Sequence, residues 1–288
     1  MSGTKTYSLT RRMMLKAGLV GTVSSGGLLS GLRAAWADDT LADVKKRGEL
    51  VIATEMQFPP FDISDNGTYK GVDRDLIDEV GKELGVKIEW VTLPWDGVLP
   101  GLEAGKFDMV AGPATITKAR MEHYRFSTPI AEATVALMKR KGDSSVMKPV
   151  DIAGKIVGAA KATSQLQQLI KFGDTLPVKP EVRGEYVGYN EAYADLAAGR
   201  IVAVGNSLPN IAFVAKQQPT KFEVVLPTFG TKTYFGYMGR KDPDYASLMD
   251  TVDKAILKIK ADGRMAKIQQ KWFGTTFDTP DSVPTPNI

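Results

Sequence analysis

After Glu49 the chain alternates short apolar runs with amphipathic stretches, and this alternation predicts strand, helix, strand, helix, strand. Leu50-Val51-Ile52-Ala53 reads as a strand, and Val72 to Leu84 places Leu76, Val80 and Leu84 at helical spacing before Gly85 supplies a helix end. Val86 to Val91 is a second predicted strand, Gly97 to Ala104 a short helix stopped by Gly105, and Phe107 to Ala111 a third strand. Strands that alternate with helices imply parallel βαβ units.

The order recurs further on. Lys155 to Ala159 reads as a strand, Ser164 to Lys171 as a helix, Glu181 to Val187 as a strand, Glu191 to Ala198 as a helix and Ile201 to Val204 as the closing strand. The stretch from Leu102 through Gly105 to Val110 resembles that from Leu196 through Gly199 to Val204. The spacing is too long for a solenoid repeat, which leaves a pair of similar α/β lobes or chance likeness between helix–Gly–strand junctions. Segments near Pro129-Ile130-Ala131 and Pro227-Thr228-Phe229-Gly230 separate the halves, and Tyr234 to Met238 (strand) and Tyr245 to Lys260 (amphipathic helix) follow. If this last portion returns to the first lobe, the chain crosses between lobes twice and forms a hinge. The expected architecture is a two-lobed α/β chain: lobe one from 38–131 plus 232–275, lobe two from 132–231, and a loose tail at 276–288.

Composition narrows the chemistry. The chain has no cysteine and one histidine, His123, which removes disulfides, thiolate sites and most metal or triad chemistry. The formal charge is +4, but Lys5, Arg11, Arg12, Lys16 and Arg33 all lie in the first 37 residues, which hold no acid. Without them 32 basic residues face 33 acidic ones, and nothing favours nucleic acid. That basic start, the apolar Ala17–Leu32 stretch and Ala35-Trp36-Ala37 predict an export leader removed near Ala37, with an uncleaved anchor as the alternative. The paired arginines resemble a twin-arginine signal, with Met14 standing where that pattern usually has Phe.

Ligands of open α/β sheets sit beyond the carboxyl ends of strands. In the loop Gly112 to Arg120, Thr117 is a predicted N-cap, and Lys118 and Arg120 fall in the first helical turn, where positive charge opposes the helix dipole. Together with Pro113 and Thr115 they suit a bound carboxylate; the alternative is a solvated surface arginine. The loop after Ala53 brings Glu55 beside Phe58 and Phe61, of which Phe61 is expected in the core, and the next loop adds Trp95. An acid between aromatics suits a cationic or donor group, although Trp95 could equally cover the sheet edge. Thr163, Ser164 and Gln165 offer hydroxyl and amide groups at a helix start, which capping alone would also explain.

Together these segments resemble the extracellular solute-binding proteins that serve polar amino-acid ABC importers, from Gly48 to Gly274. The resemblance rests on Phe58-Pro59-Pro60-Phe61, on Gly71-Val72-Asp73-Arg74-Asp75-Leu76, on Trp95 to Leu102 with Gly105-Lys106-Phe107-Asp108, on Thr115 to Arg120 with Phe126-Ser127, and on Lys271-Trp272-Phe273-Gly274. It implies a type II periplasmic-binding-protein fold, no cofactor, a monomer in the periplasm, and importer membrane subunits as partners. It also implies an amino acid or related carboxylate held by Arg120 with Thr115 and groups near Ser164, clamped by Phe58 and Trp95, and faced by Glu55. The family usually places an ammonium-binding aspartate where this chain has Ser207, preceded by Asn206, and a buried aspartate where it has Val202. Either Glu55 supplies the missing charge, or the ligand lacks a free α-ammonium, as in a dicarboxylate or a modified amino acid. The rival reading is a secreted prephenate-type dehydratase with Glu55 as general acid.

Overall fold

The structure is a computed structural model that describes residues 39–55 and 57–288. The predicted leader and its cleavage point near Ala37 lie outside the described residues.

The first half runs α1 (Thr40–Arg47), β1 (Glu49–Thr54), β2 (Gln57–Phe58), β3 (Asp62–Asp65), β4 (Thr68–Lys70), α2 (Val72–Leu84), β5 (Lys87–Thr92), α3 (Trp95–Glu103), β6 (Met109–Thr115), α4 (Lys118–His123), β7 (Tyr124–Phe126) and β8 (Ala131–Glu132). The middle runs β9 (Val135–Arg140), β10 (Ile156–Ala160), α5 (Ser164–Gly173), β11 (Glu181–Tyr186), α6 (Tyr189–Ala197), β12 (Ala203–Ser207), α7 (Leu208–Gln217) and β13 (Phe222–Val225). The chain ends with β14 (Tyr234–Arg240), α8 (Ala246–Ala261) and α9 (Arg264–Phe273).

Two sheets organise the two lobes. One has strand order β5-β1-β6-β14-β7, with β8 pairing β14; the other is β11-β10-β12-β9-β13. The orders correspond: in each, three parallel strands are joined by an antiparallel strand, β14 in the first and β9 in the second. The internal likeness, offset by 94 positions, now has a physical reading. Gly105 and Gly199 both end a helix at positive φ, 66° and 76°, just before the strand that pairs with the lobe's first parallel strand. Two equivalent turns in two equivalent lobes need the same residue.

The lobes are joined where the chain leaves β8 for β9 and returns from β13 to β14. The two crossings lie side by side, since Ala131 and Glu132 pair with Phe235 and Tyr234. Adjacent crossing strands give a rotation axis of the kind that permits cleft closure.

Some elements depart from the sequence expectation. Strand β6 extends to Thr115, so Pro113 and Thr115 lie on a strand and not in a loop. The ladder between β6 and β14 is irregular between Gly236 and Met238, opposite that proline, so its missing N–H breaks no regular pair. Trp95 is not in a loop; it begins α3 behind Pro94. The tail expected to be loose is tied down. Gln269 exchanges two hydrogen bonds with Phe277, the Thr279 hydroxyl donates to the Pro129 carbonyl at 2.9 Å, and Lys118 N–H donates to the Ile288 carbonyl at 2.8 Å. Its prolines remove donors but leave carbonyls and side chains to dock.

Candidate functional site

The loops at the carboxyl ends of the central strands meet between the lobes. Glu55 follows β1, Phe58 lies on β2, Trp95 opens α3, Pro113 and Thr115 end β6, and Arg120 lies on α4. These six, with Thr163 and Gln165 at the start of α5, line one partly open cavity of about 240 Å3, its mouth included. Eight of the ten residues singled out from sequence are thus brought together.

Arg120 is held from two sides. Thr117 caps α4 by accepting the Arg120 backbone N–H at 3.2 Å, which points the side chain back over β6. Its Nη1 donates to the Thr115 carbonyl at 3.1 Å, and the guanidinium carbon lies 5.4 Å from the Trp95 ring centroid. Burial lowers its pKa to about 10, so it stays charged at neutral pH, and no carboxylate among the described residues contributes to it. The remaining N–H donors of a planar fork suit a carboxylate.

Glu55 lies on another part of the same wall. Burial, and next the nearby Asp62, push its carboxyl up to about 8. Behind it stands a feature the sequence reading missed. Asp62 and Asp73 are fully buried, and Tyr69 and Tyr237 donate to one oxygen of each, the second at 2.8 Å. Their other oxygens lack a donor, and burial raises both pKa values. Gly71 makes the approach possible. At φ 142° its Cα packs so closely on the Phe61 carbonyl that an added Cβ would lie 1.9 Å from that oxygen. The close fit lets Asp73 N–H reach the same carbonyl at 3.2 Å. Asp62 gave a sequence signal only as an acid in an otherwise apolar segment.

The second lobe contributes neutral groups. Thr163 caps α5 by accepting Leu166 N–H at 3.1 Å, and its hydroxyl donates to the Ala160 carbonyl at 2.7 Å. Ser164 and Ser207 do not line the cavity. The Ser164 hydroxyl is engaged by Gln165 Oε1 at 3.3 Å, and the Ser207 hydroxyl donates to Asn210 Oδ1. Both serines are buried in contacts of their own lobe. The lobes meet around the cavity: Trp95 Nε1 donates to the Ala162 carbonyl at 3.1 Å, Lys161 pairs with Asp96 at 2.7 Å, and the Phe58 and Tyr189 rings lie 5.7 Å apart.

A larger groove of about 910 Å3 runs between α7 and α9, with Leu208, Phe213, Trp272 and Phe277 on its walls. Its surface is mostly hydrocarbon. The smaller cavity is the better candidate because a guanidinium and an ionisable carboxyl, neither paired with a counter-ion among the described residues, face it.

Comparison with known proteins agrees with this geometry. A family model for bacterial extracellular solute-binding proteins, family 3, matches residues 50–275. An L-cystine-binding protein of Escherichia coli strain K12 is 29% identical over 257 residues, covering 88% of this chain and 93% of the relative. An L-cystine-binding protein of Bacillus subtilis strain 168 is 30% identical over 243 residues, covering 82% of this chain and 85% of the relative. Among solved structures, an ancestral arginine-binding protein bound to arginine superimposes with a TM-score of 0.72 at 36% identity, covering 79% of this chain and 99% of that one.

Proposed function

Since the chain belongs to the bacterial extracellular solute-binding proteins, family 3, we propose that it captures an amino acid, or a closely related small carboxylate, for an ABC importer. One observation carries the reading: a guanidinium and a carboxyl, neither with a counter-ion among the described residues, face one cavity between the lobes. A ligand carboxylate placed on Arg120 receives the fork, with Thr115 backing the arginine. A cationic group turned toward Glu55 favours its ionised form, the carboxyl proton passing to solvent, and gains a charged partner. Phe58 and Trp95 clamp the ligand between, Pro113 shapes the wall, and Thr163 and Gln165 close over it from the second lobe.

A second carboxylate would only meet the neutral, protonated form of Glu55, whereas an amine gains an ion pair there, so an amine-bearing ligand fits better. The cystine- and arginine-binding relatives support the same class, since both names describe ligands with a second polar end. The dehydratase reading needs a second acid or base beside Glu55, and among the described residues the only other titratable side chain on the cavity wall is Arg120. The basic, apolar N-terminal segment supports export, with the folded chain working outside the cytoplasmic membrane as a monomer.

The test is mass spectrometry of ligand copurified from gently extracted protein, followed by a thermal-shift screen of amino acids against their deaminated counterparts. An amino acid should raise the melting temperature and its deaminated form should not. Equal stabilisation by both would overturn the placement of an amine at Glu55.

A further inference from the structure

Outside the cavity wall, one buried polar chain crosses from lobe to lobe. Asn210, on α7, is fully buried, and its Nδ2 lies 2.8 Å from the Pro59 carbonyl oxygen and 3.4 Å from that of Phe58. Those carbonyls belong to the first lobe and can only accept, so the amide nitrogen must face them. Asn210 Oδ1 turns the other way and accepts from the Ser207 hydroxyl. Ser207 N–H in turn donates to Asn206 Oδ1 at 2.7 Å, and Asn206 Nδ2 donates to the Tyr193 hydroxyl at 2.9 Å. Every member is buried, and each amide has both ends engaged.

We propose that Asn210, oriented by Ser207, is a positioning residue that latches the lobes shut over the cavity through the Phe58 and Pro59 carbonyls. The chain inside the second lobe survives opening, because Tyr193, Asn206, Ser207 and Asn210 move as one body. Only the bonds to Pro59 and Phe58 must break. Phe58 also lines the cavity, so the same bonds fix the backbone of a clamp residue. None of these contacts uses a ligand atom. Closure therefore has a component built into the protein; only its consequence for affinity rests on the binding reading above.

The natural chain has no cysteine, so Glu122→Cys and Glu185→Cys, both at exposed positions of opposite lobes, give a clean spin-label pair. Electron–electron distance measurements without ligand should show a substantial closed population in the otherwise unaltered protein. Asn210→Asp keeps the size but sets carboxylate oxygens against two carbonyls. Ser207→Ala leaves Asn210 Oδ1 without its donor. Each should shift the closed-to-open ratio toward open by about five- to tenfold, with Asn210→Asp the stronger, while melting stays cooperative. Distance distributions of both variants that superimpose on the parent would overturn the latch, as would a parent wholly open without ligand. If no amino acid in the screen binds but these shifts appear, the binding reading fails and the latch stands.

Discussion

The two lobes share a strand order but divide the work at the cleft unequally. The first lobe brings the guanidinium and the ionisable carboxyl, Arg120 on α4 just beyond β6 and Glu55 just after β1, and buries an acid pair behind the latter. The second lobe brings a hydroxyl and an amide, Thr163 and Gln165, and the buried amide of Asn210. Charge that is desolvated before a ligand arrives is costly, and the first lobe meets that cost differently at each group. Arg120 leans on a carbonyl and a ring; Glu55 holds its proton. On the proposed binding reading, ionic recognition is concentrated on one lobe, so the other can close on ligand through neutral contacts.

The largest expected effect tests the first half of that contrast. Arg120→Ala should weaken binding of the best ligand from the amino-acid screen by roughly 2–5 kcal/mol, read by calorimetry, with circular dichroism unchanged. Arg120→Lys should recover only part, because a point charge cannot reproduce the fork. Near-parent affinity in Arg120→Ala would show that the carboxylate sits elsewhere.

Glu55→Gln comes next and carries a pH signature. The Glu55 carboxyl titrates near 8 in the folded protein and near its ordinary value of 4.5 when unfolded. Between those values the folded state binds the extra proton, so stability of the unliganded protein falls as pH rises through that window and levels off above 8. A cationic ligand prefers the ionised form, so its affinity should rise from pH 6 to 8, by up to about tenfold per unit. In Glu55→Gln the affinity trend should flatten and the stability trend should weaken, keeping only the share of the buried Asp62 and Asp73, and the variant should melt higher than the parent at pH 8 without ligand. Parallel melting profiles across pH 5–9 would mean that Glu55 is not the titrating group.

Much of the cleft was legible because its residues lie at strand and helix ends, where local signals are strong. Thr117 and Thr163 read as caps and are caps, and each fixes its neighbours on the cavity. Glycines after predicted helices marked the equivalent turns of both lobes. What stayed hidden depends on contacts between distant segments. Asp62 and Asp73 meet only because Gly71 folds the β2–β4 segment back on α2. Asn210 reaches Pro59 across 151 positions. Strand β9 was missed because its five consecutive buried residues, Val135 to Lys139, sit between both neighbours of a sheet and show no alternation.

A middle-sized effect concerns contact between lobes away from Asn210. Trp95→Phe keeps a ring against Arg120 but deletes the indole donor to the Ala162 carbonyl. Affinity should fall about five- to tenfold, mainly through faster dissociation in stopped-flow release. A loss expressed wholly in the association rate would place Trp95 in recognition and not in closure.

The smallest effect probes the support behind Glu55. Asp62→Asn keeps the shape, and its amide can donate to the Asp73 oxygen that now lacks a donor. It also removes the nearest acid that raises the Glu55 pKa. The Glu55 midpoint should therefore move to lower pH by less than about one unit, since burial, the larger cause, is untouched. Carboxyl 13C titration of Glu55 in parent and variant, without ligand, reads this directly. An unchanged or raised midpoint would mean that Asp62 does not act on Glu55 electrostatically, and that the first lobe sets its charge by burial alone.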